Sequence, residues 1–225
     1  MLSAKEKADI YASIGSEFVS DGFRYWRTGK TLERVNGKLT DVISFRSFRS
    51  GGSEVRANVK SADFEAWSNR NSYPLRSSYP GMIGGWQLEN IFKDGPPFIY
   101  YDFDNRPALR EQKKVAAAIR DCAFPFFELA QTPERLCKAF EDGTLPALQM
   151  VDLHINFFVW REQPSLAARF IKALLRRSAK DAEDFRRCLE KFKKELPQTN
   201  ALELLGLHSD GAKAAVLARH FQLPI

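Results

Sequence analysis

Cysteine is scarce in this sequence: Cys122, Cys137 and Cys188 are the three present in 225 residues. No two form a CxxC, and no histidine lies near any of them. A disulfide framework and a Cys/His zinc site are therefore poor readings, and three partly buried free thiols are expected. Histidine is equally rare, with His154, His208 and His220 scattered over the second half. No GxSxG elbow or glycine-framed cysteine accompanies them, so a nucleophile–histidine–acid arrangement has no anchor, and satisfied structural histidines are expected. GxGxxG and GxxxxGK[ST] are also missing, which removes both common phosphate-cradling loops. Long apolar runs are lacking too. The densest, Leu153 to Trp160, is far too short to span a bilayer. The opening MLSAKEKADIYASIG carries early charges of both signs and no apolar h-region. A cytoplasmic protein without a membrane segment is expected, and nothing calls for a cofactor or a metal.

What is present is an ordinary globular mixture, 44% hydrophobic and 28% charged. The 34 Lys and Arg against 28 Asp and Glu leave +6. The excess is concentrated. Residues 22–60 hold nine basic and three acidic side chains, and residues 161–196 hold eleven and six. The rest is mildly acidic, so two basic regions stand on an acidic background.

Ser3-Ala4-Lys5-Glu6 reads as a capping box. Ala8, Ile10 or Tyr11, Ile14 and Phe18 follow at helical spacing, predicting a helix to about Ser20, and Asp21-Gly22 ends it. From Phe23 aromatic and β-branched residues alternate with polar ones. Strands are predicted over 23–35, 39–49 and 53–60, turned at Asn36-Gly37-Lys38 and Ser50-Gly51-Gly52. Val55, Ala57 and Val59 share one face of the third, and Arg56, Asn58 and Lys60 the other. Residues 68–85 are rich in Gly, Pro, Ser and Asn and are predicted to form a long loop. The pattern of Trp86–Phe92 suits a returning strand, and Phe98–Phe103 is predicted to be one. Pro107 then suits a first helical turn, with Asp104 or Asn105 as cap. Pro125 should kink or end that helix. Thr132-Pro133 opens a short helix that stops at Gly143, and Pro164, Pro197 and Gly206 punctuate further helical segments. Residues 145–161 are apolar enough for a strand, although their length favours a buried helix.

Three features could carry chemistry. Asp102 and Asp104, two apart on a predicted strand, share a face and could hold a divalent cation, as in a metal-dependent hydrolase. No third ligand is adjacent, and a capping role is the simpler expectation. Arg169, Lys172, Arg176 and Arg177 put four cations within about two turns, with Phe170, Leu174 and Leu175 as an apolar stripe. This suits either a helix on an anionic surface or a core helix with cations near its C-terminus. The most informative feature is the row Arg24, Arg46, Arg56 and Lys60, with Trp26 among them, on the polar side of the predicted sheet. Together with Arg70, Tyr73, Arg76 and Tyr79 of the 68–85 loop, it forms the expected partner-binding surface, since Tyr, Trp and Arg dominate interface hot spots. An acidic protein would meet it electrostatically. Nucleic acid is the alternative, through backbone contacts and base stacking, and a solvated outer face is the plainer reading of the row itself.

Gly22-Phe23-Arg24, followed by Gly29, Thr31 and Arg34, resembles the opening of a bacterial family of unknown function. Its members begin with a short helix and then a G-F-basic-x-x-x-G-x-x-x-x-R strand pair. Val42-Ile43-Ser44-Phe45-Arg46 and Val55-Arg56-Ala57-Asn58-Val59 are similar to its next strands. Arg76 and Gly84-Gly85-Trp86 look like its arginine, glycine and tryptophan segment. The likeness covers roughly residues 3–135. It supplies no catalytic residues. Some relatives look like immunity proteins encoded beside bacterial toxins, which implies a binding role. The expected fold is α+β: an N-terminal helix on an antiparallel meander over 1–106, followed by a helical region over 107–225. The expected function is a non-catalytic cytoplasmic protein-binding module, and the resemblance implies an immunity protein whose partner is a toxin.

Overall fold

The computed structural model describes residues 2–48, 52–71, 81–92, 100–145, 151–192 and 209–225. The chain is α+β, with an N-terminal helix, an antiparallel sheet and a helical C-terminal half. Its internal contacts divide it into two units. One comprises Met1–Lys60 and Gly84–Gln131, the other Ser61–Ile83 and Thr132–Ile225. The chain thus leaves the first unit at Ser61, returns at Gly84 and leaves again at Thr132, a division that does not follow the 106/107 boundary.

In the first unit, helix α1 spans Ala4–Ser16 and opens with the expected capping box. The Ser3 amide donates to Glu6 Oε2 at 2.7 Å, and the Glu6 amide donates to Ser3 Oγ at 3.2 Å. Strands β1 (Arg24–Trp26), β2 (Thr31–Asn36), β3 (Leu39–Ser47), β4 (Ser53–Lys60) and β5 (Met82–Gln87) lie in that order in one sheet. The segment predicted as one strand over 23–35 is two, because the chain turns at 27–30, where Lys30 adopts φ 50°. Asn36 pairs with Leu39, leaving Gly37 and Lys38 as a two-residue hairpin turn. Gly37 at φ +62° supplies the left-handed conformation such a turn requires.

One face of the sheet is core. Leu32, Ile43, Phe45, Val55, Ala57 and Val59 are buried there. Tyr11 of α1 stacks on Phe45 at 4.6 Å between centroids. Its hydroxyl sits 2.8 Å from Ser47 Oγ and 2.7 Å from Ser53 Oγ, so the buried phenol has polar partners. On the same face, the fully buried Asp41 takes Arg34 Nε at 3.0 Å and Nη2 at 2.8 Å on one oxygen. Burial nevertheless pushes the Asp41 carboxyl above its usual range, with Arg34 pulling the other way.

Of the predicted strand over 98–103, the described residues 100–103 form no strand element. Residues 93–99 lie outside the described residues, and Tyr101 makes a single bridge to Ser53. Helix α3 spans Ala108–Ala118, with Pro107 at its cap position, and passes through a π turn (Ile119–Ala123) into α4 (Phe124–Gln131). Pro125 was expected to kink or end this helix. Proline has no N–H to give to the fourth residue back, and the wider turn directly before it absorbs the mismatch.

The second unit is helical. Its elements are α2 (Ala62–Asn71), α5 (Pro133–Asp142), α6 (Val151–Trp160), α7 (Pro164–Arg177), α8 (Ala179–Lys191) and α9 (Asp210–His220). Pro133 and Pro164 open their helices, Gly143 closes α5 at φ +87°, and Ser178 and Ser209 cap α8 and α9. The ambiguous 145–161 stretch supplies α6. Phe64, Phe157 and Trp160 form one aromatic cluster, and Phe140, His154, Phe158 and Phe170 another. Cys137 and Cys188 are buried free thiols, both pushed up to about 11 by burial.

Candidate binding surface

Strand register decides which side chains share a face, because directly paired residues point the same way. Arg24 pairs with Glu33, Glu33 with Val42 and Val42 with Asn58. Trp26 pairs with Thr31, Thr31 with Ser44 and Ser44 with Arg56, while Arg46 faces Glu54 and Thr40 faces Lys60. Arg24, Trp26, Arg46, Arg56 and Lys60 therefore do share the face opposite the core. So do two carboxylates, Glu33 and Glu54.

Those carboxylates reshape the basic row. Lys60 Nζ reaches across β3 to Glu33 Oε1 at 2.8 Å. Arg56 Nε donates to Glu54 Oε1 at 2.6 Å, and Gln87 Nε2 donates to the same oxygen at 2.6 Å. Glu54 is 1% exposed, so Arg56 is tied to a buried acid. With four cations and two carboxylates, the face carries 4 − 2 = +2. Arg24 and Arg46 form no ion pair with the described residues; each lies over an aromatic ring, Arg24 4.4 Å from the Trp26 centroid and Arg46 5.5 Å from that of Phe48.

Exposure changes along the face. Val42, Glu54 and Asn58, on β3 and β4, are buried. Towards β1 and β2 the face opens, with Trp26 46% and Val35 79% exposed. The open part thus presents Trp26, Val35 and Arg24, which has no carboxylate partner among the described residues, while exposed Arg46 stands on β3 opposite Glu54.

The loop half of the expected surface differs. Residues 68–71 complete α2 and 82–87 form β5, so both ends of the predicted loop are regular structure, and 72–80 lie outside the described residues. Arg70 is exposed in the last turn of α2, in the second unit, where a cation suits the helix C-terminus. Tyr73, Arg76 and Tyr79 lie outside the described residues. Val35 escaped the sequence reading, since it stands among polar neighbours beside a turn. Glu54, two residues before Arg56 on one strand, was detectable by period alone.

Asp102 and Asp104 do not act as a pair. Asp102 Oδ1 accepts the Asn105 amide at 3.1 Å, closing a turn. Asp104 caps no helix of its own. It meets Lys7 Nζ at 2.9 Å and accepts the Leu2 amide, ahead of α1. The Lys7 and Asp104 side chains are 7% and 4% exposed. The hydrogen bond from Lys7, with that from Leu2, holds the Asp104 carboxyl below its usual range. Among the described residues no group of three His, Cys, Asp or Glu could hold a metal ion. No helix among them is long and apolar enough to cross a membrane. His154, 1% exposed, lies 4.5 Å from the Phe140 ring, and His220 Nε2 is 2.6 Å from the Asn71 carbonyl oxygen. No family model, curated protein or solved structure matches this chain.

Proposed function

We propose that this protein is a non-catalytic, cytoplasmic protein-binding module that presents the open part of its sheet to an acidic partner. Toxin neutralisation of the immunity type is the role the sequence resemblance implies. The observation that carries the reading is Trp26, half exposed beneath the Arg24 guanidinium, on the same face as the exposed Val35. A rigid aromatic held under a cation, on a face that also exposes Val35 about 13 Å further along β2, is the composition of an interface anchor. The charge of the face and the +6 of the chain would speed encounter with an acidic surface.

A nucleic-acid reading draws on the same Arg24–Trp26 pair, since bases stack on such platforms. It has less support, because Glu33 and Glu54 engage two of the four cations. Two remaining arginines are a short phosphate footprint. The hydrolase reading has least, with Asp104 committed to Lys7 and Asp102 to Asn105.

Photocrosslinking tests the choice. A Trp26→p-benzoylphenylalanine variant, irradiated in the source cells, should yield a protein adduct that the same probe at exposed Val19 does not. A nucleic-acid adduct, backed by oligonucleotide binding that weakens steeply with salt, would transfer the surface to the alternative reading. Identical adducts from both positions would remove the sheet face as the site.

A further inference from the structure

Helix α7 carries the second basic region, and its four cations have different fates. Arg177 donates to the Phe140 carbonyl at the end of α5. Arg169 grips Glu141 of α5 through two bonds, Nε to Oε1 at 2.9 Å and Nη2 to Oε2 at 2.5 Å. These two arginines join α7 to α5. Lys172 and Arg176 have no carboxylate partner among the described residues; Lys172 Nζ lies 3.5 Å from the Pro224 carbonyl oxygen, at the edge of hydrogen-bond range. Helix-dipole stabilisation explains cations in the last turn. It does not explain Lys172, a turn earlier, nor the groove that the remaining side chains line.

That groove has a volume of about 370 Å³ and is lined by Glu141, Arg169, Lys172, Leu175 and Arg176. Its size lies within the range of small-ligand sites. Arg169 and Glu141 cancel, so the groove offers two uncompensated cations one turn apart on one helix face. Leu175 and the aliphatic stems of the long side chains add an apolar wall. The matching ligand carries close to two negative charges on one group, beside a carbon skeleton that can lie on Leu175. A carboxylate has half that charge. A phosphomonoester, with −1.5 to about −2 near neutral pH, has it in full and adds three acceptor oxygens.

We propose that the groove between α5 and α7 binds a phosphomonoester, its phosphoryl oxygens on Lys172 and Arg176 and its organic part against Leu175. The Arg169–Glu141 clamp fixes the groove wall and leaves the net charge at +2. The site lies wholly within the second unit and is independent of the sheet-face reading.

The test titrates the isotopically labelled full chain, followed by NMR, with phenyl phosphate above the second phosphate pKa of about 6. Inorganic phosphate and the singly charged phenyl methylphosphonate are run beside it. Saturable shifts confined to residues around 169–177 are expected. Phenyl methylphosphonate should bind about tenfold more weakly, because one charge is gone. Lys172→Met with Arg176→Gln should weaken phenyl phosphate by at least about tenfold. Arg110→Gln with Lys113→Met, two exposed cations on α3, should change nothing. Co-sedimentation with phosphatidylcholine vesicles, with and without phosphatidic acid, separates the sources. Phosphatidic-acid-dependent binding lost in the Lys172/Arg176 variant assigns a lipid headgroup. Phenyl phosphate binding without vesicle binding assigns a free phosphorylated compound. The proposal is overturned if phenyl phosphate fails to saturate by about 20 mM, well past the affinity two charge-assisted contacts supply. Equal binding by the Lys172/Arg176 variant, or an equal loss in the Arg110/Lys113 control, overturns it as well.

Discussion

Removing the Asp104 carboxylate should destabilise the protein far more than loss of a surface contact. Lys7 and Asp104 are both nearly inaccessible, and their charged atoms stand 2.9 Å apart. Asp104→Ala would leave the Lys7 ammonium buried without a counter-charge and strip the Leu2 amide of its acceptor. Breaking one side of a buried pair costs about 3–5 kcal/mol, whereas a lost helix cap costs about 1 kcal/mol. Replacing both partners with apolar groups, Lys7→Met with Asp104→Leu, should return most of that loss, since the desolvation cost disappears with the charges. Urea unfolding of the wild type, Lys7→Met, Asp104→Leu and the double variant gives the coupling energy directly. The cost should also depend on pH. The Asp104 carboxyl is held low in the folded protein, so its contribution is fully present above the unfolded value near 3.8 and is lost as pH falls through the folded value. The gap between wild type and Asp104→Ala should therefore close in acid. Asp41 acts in the opposite sense: its raised carboxyl takes up a proton first in the folded state, adding stability as pH falls. The measurement is accordingly a difference between variants, in which Asp41 cancels. An Asp104→Ala cost at or below about 1 kcal/mol, or a double variant as unstable as the two singles combined, would refute the buried-pair argument.

Gly211→Ala should destabilise by about 1–3 kcal/mol or more in urea unfolding, because its Cβ would fall 2.0 Å from the Asp181 carbonyl oxygen of α8. Gly37→Ala has open space around it but φ +62°, so it should cost only about 1 kcal/mol, from conformation alone. Asn156 is fully buried and neither amide atom has a hydrogen-bond partner among the described residues; Asn156→Leu should raise the unfolding midpoint, and a fall of more than about 1 kcal/mol would contradict an uncompensated amide. Burial and the upward shift of Cys137 and Cys188 should make both thiols resist iodoacetamide at pH 8 in the folded protein and react on unfolding, as mass spectrometry would read.

Local chemistry made much of the fold legible in the residues alone. The Ser3/Glu6 box, the Asn36-Gly37 turn, the Pro133 and Pro164 helix starts and the Gly143 stop each depend on a few neighbouring atoms, and each appears where the sequence placed it. Period-two alternation likewise put Arg24, Trp26, Arg46, Arg56 and Lys60 on one face. What the sequence could not supply was pairing between distant positions. Whether Lys60 is a free cation depends on Glu33, 27 residues earlier and two strands away. Whether Asp104 caps the helix beside it or neutralises Lys7 depends on α1, 97 residues back. An ion pair forms across a few ångströms of space between residues far apart in the chain, and spacing along the chain does not reveal it. Alternation fixes the direction a side chain takes, because it follows from backbone geometry. Register and packing fix what it meets, and so tertiary structure alone decided which charges of this protein remain free to bind.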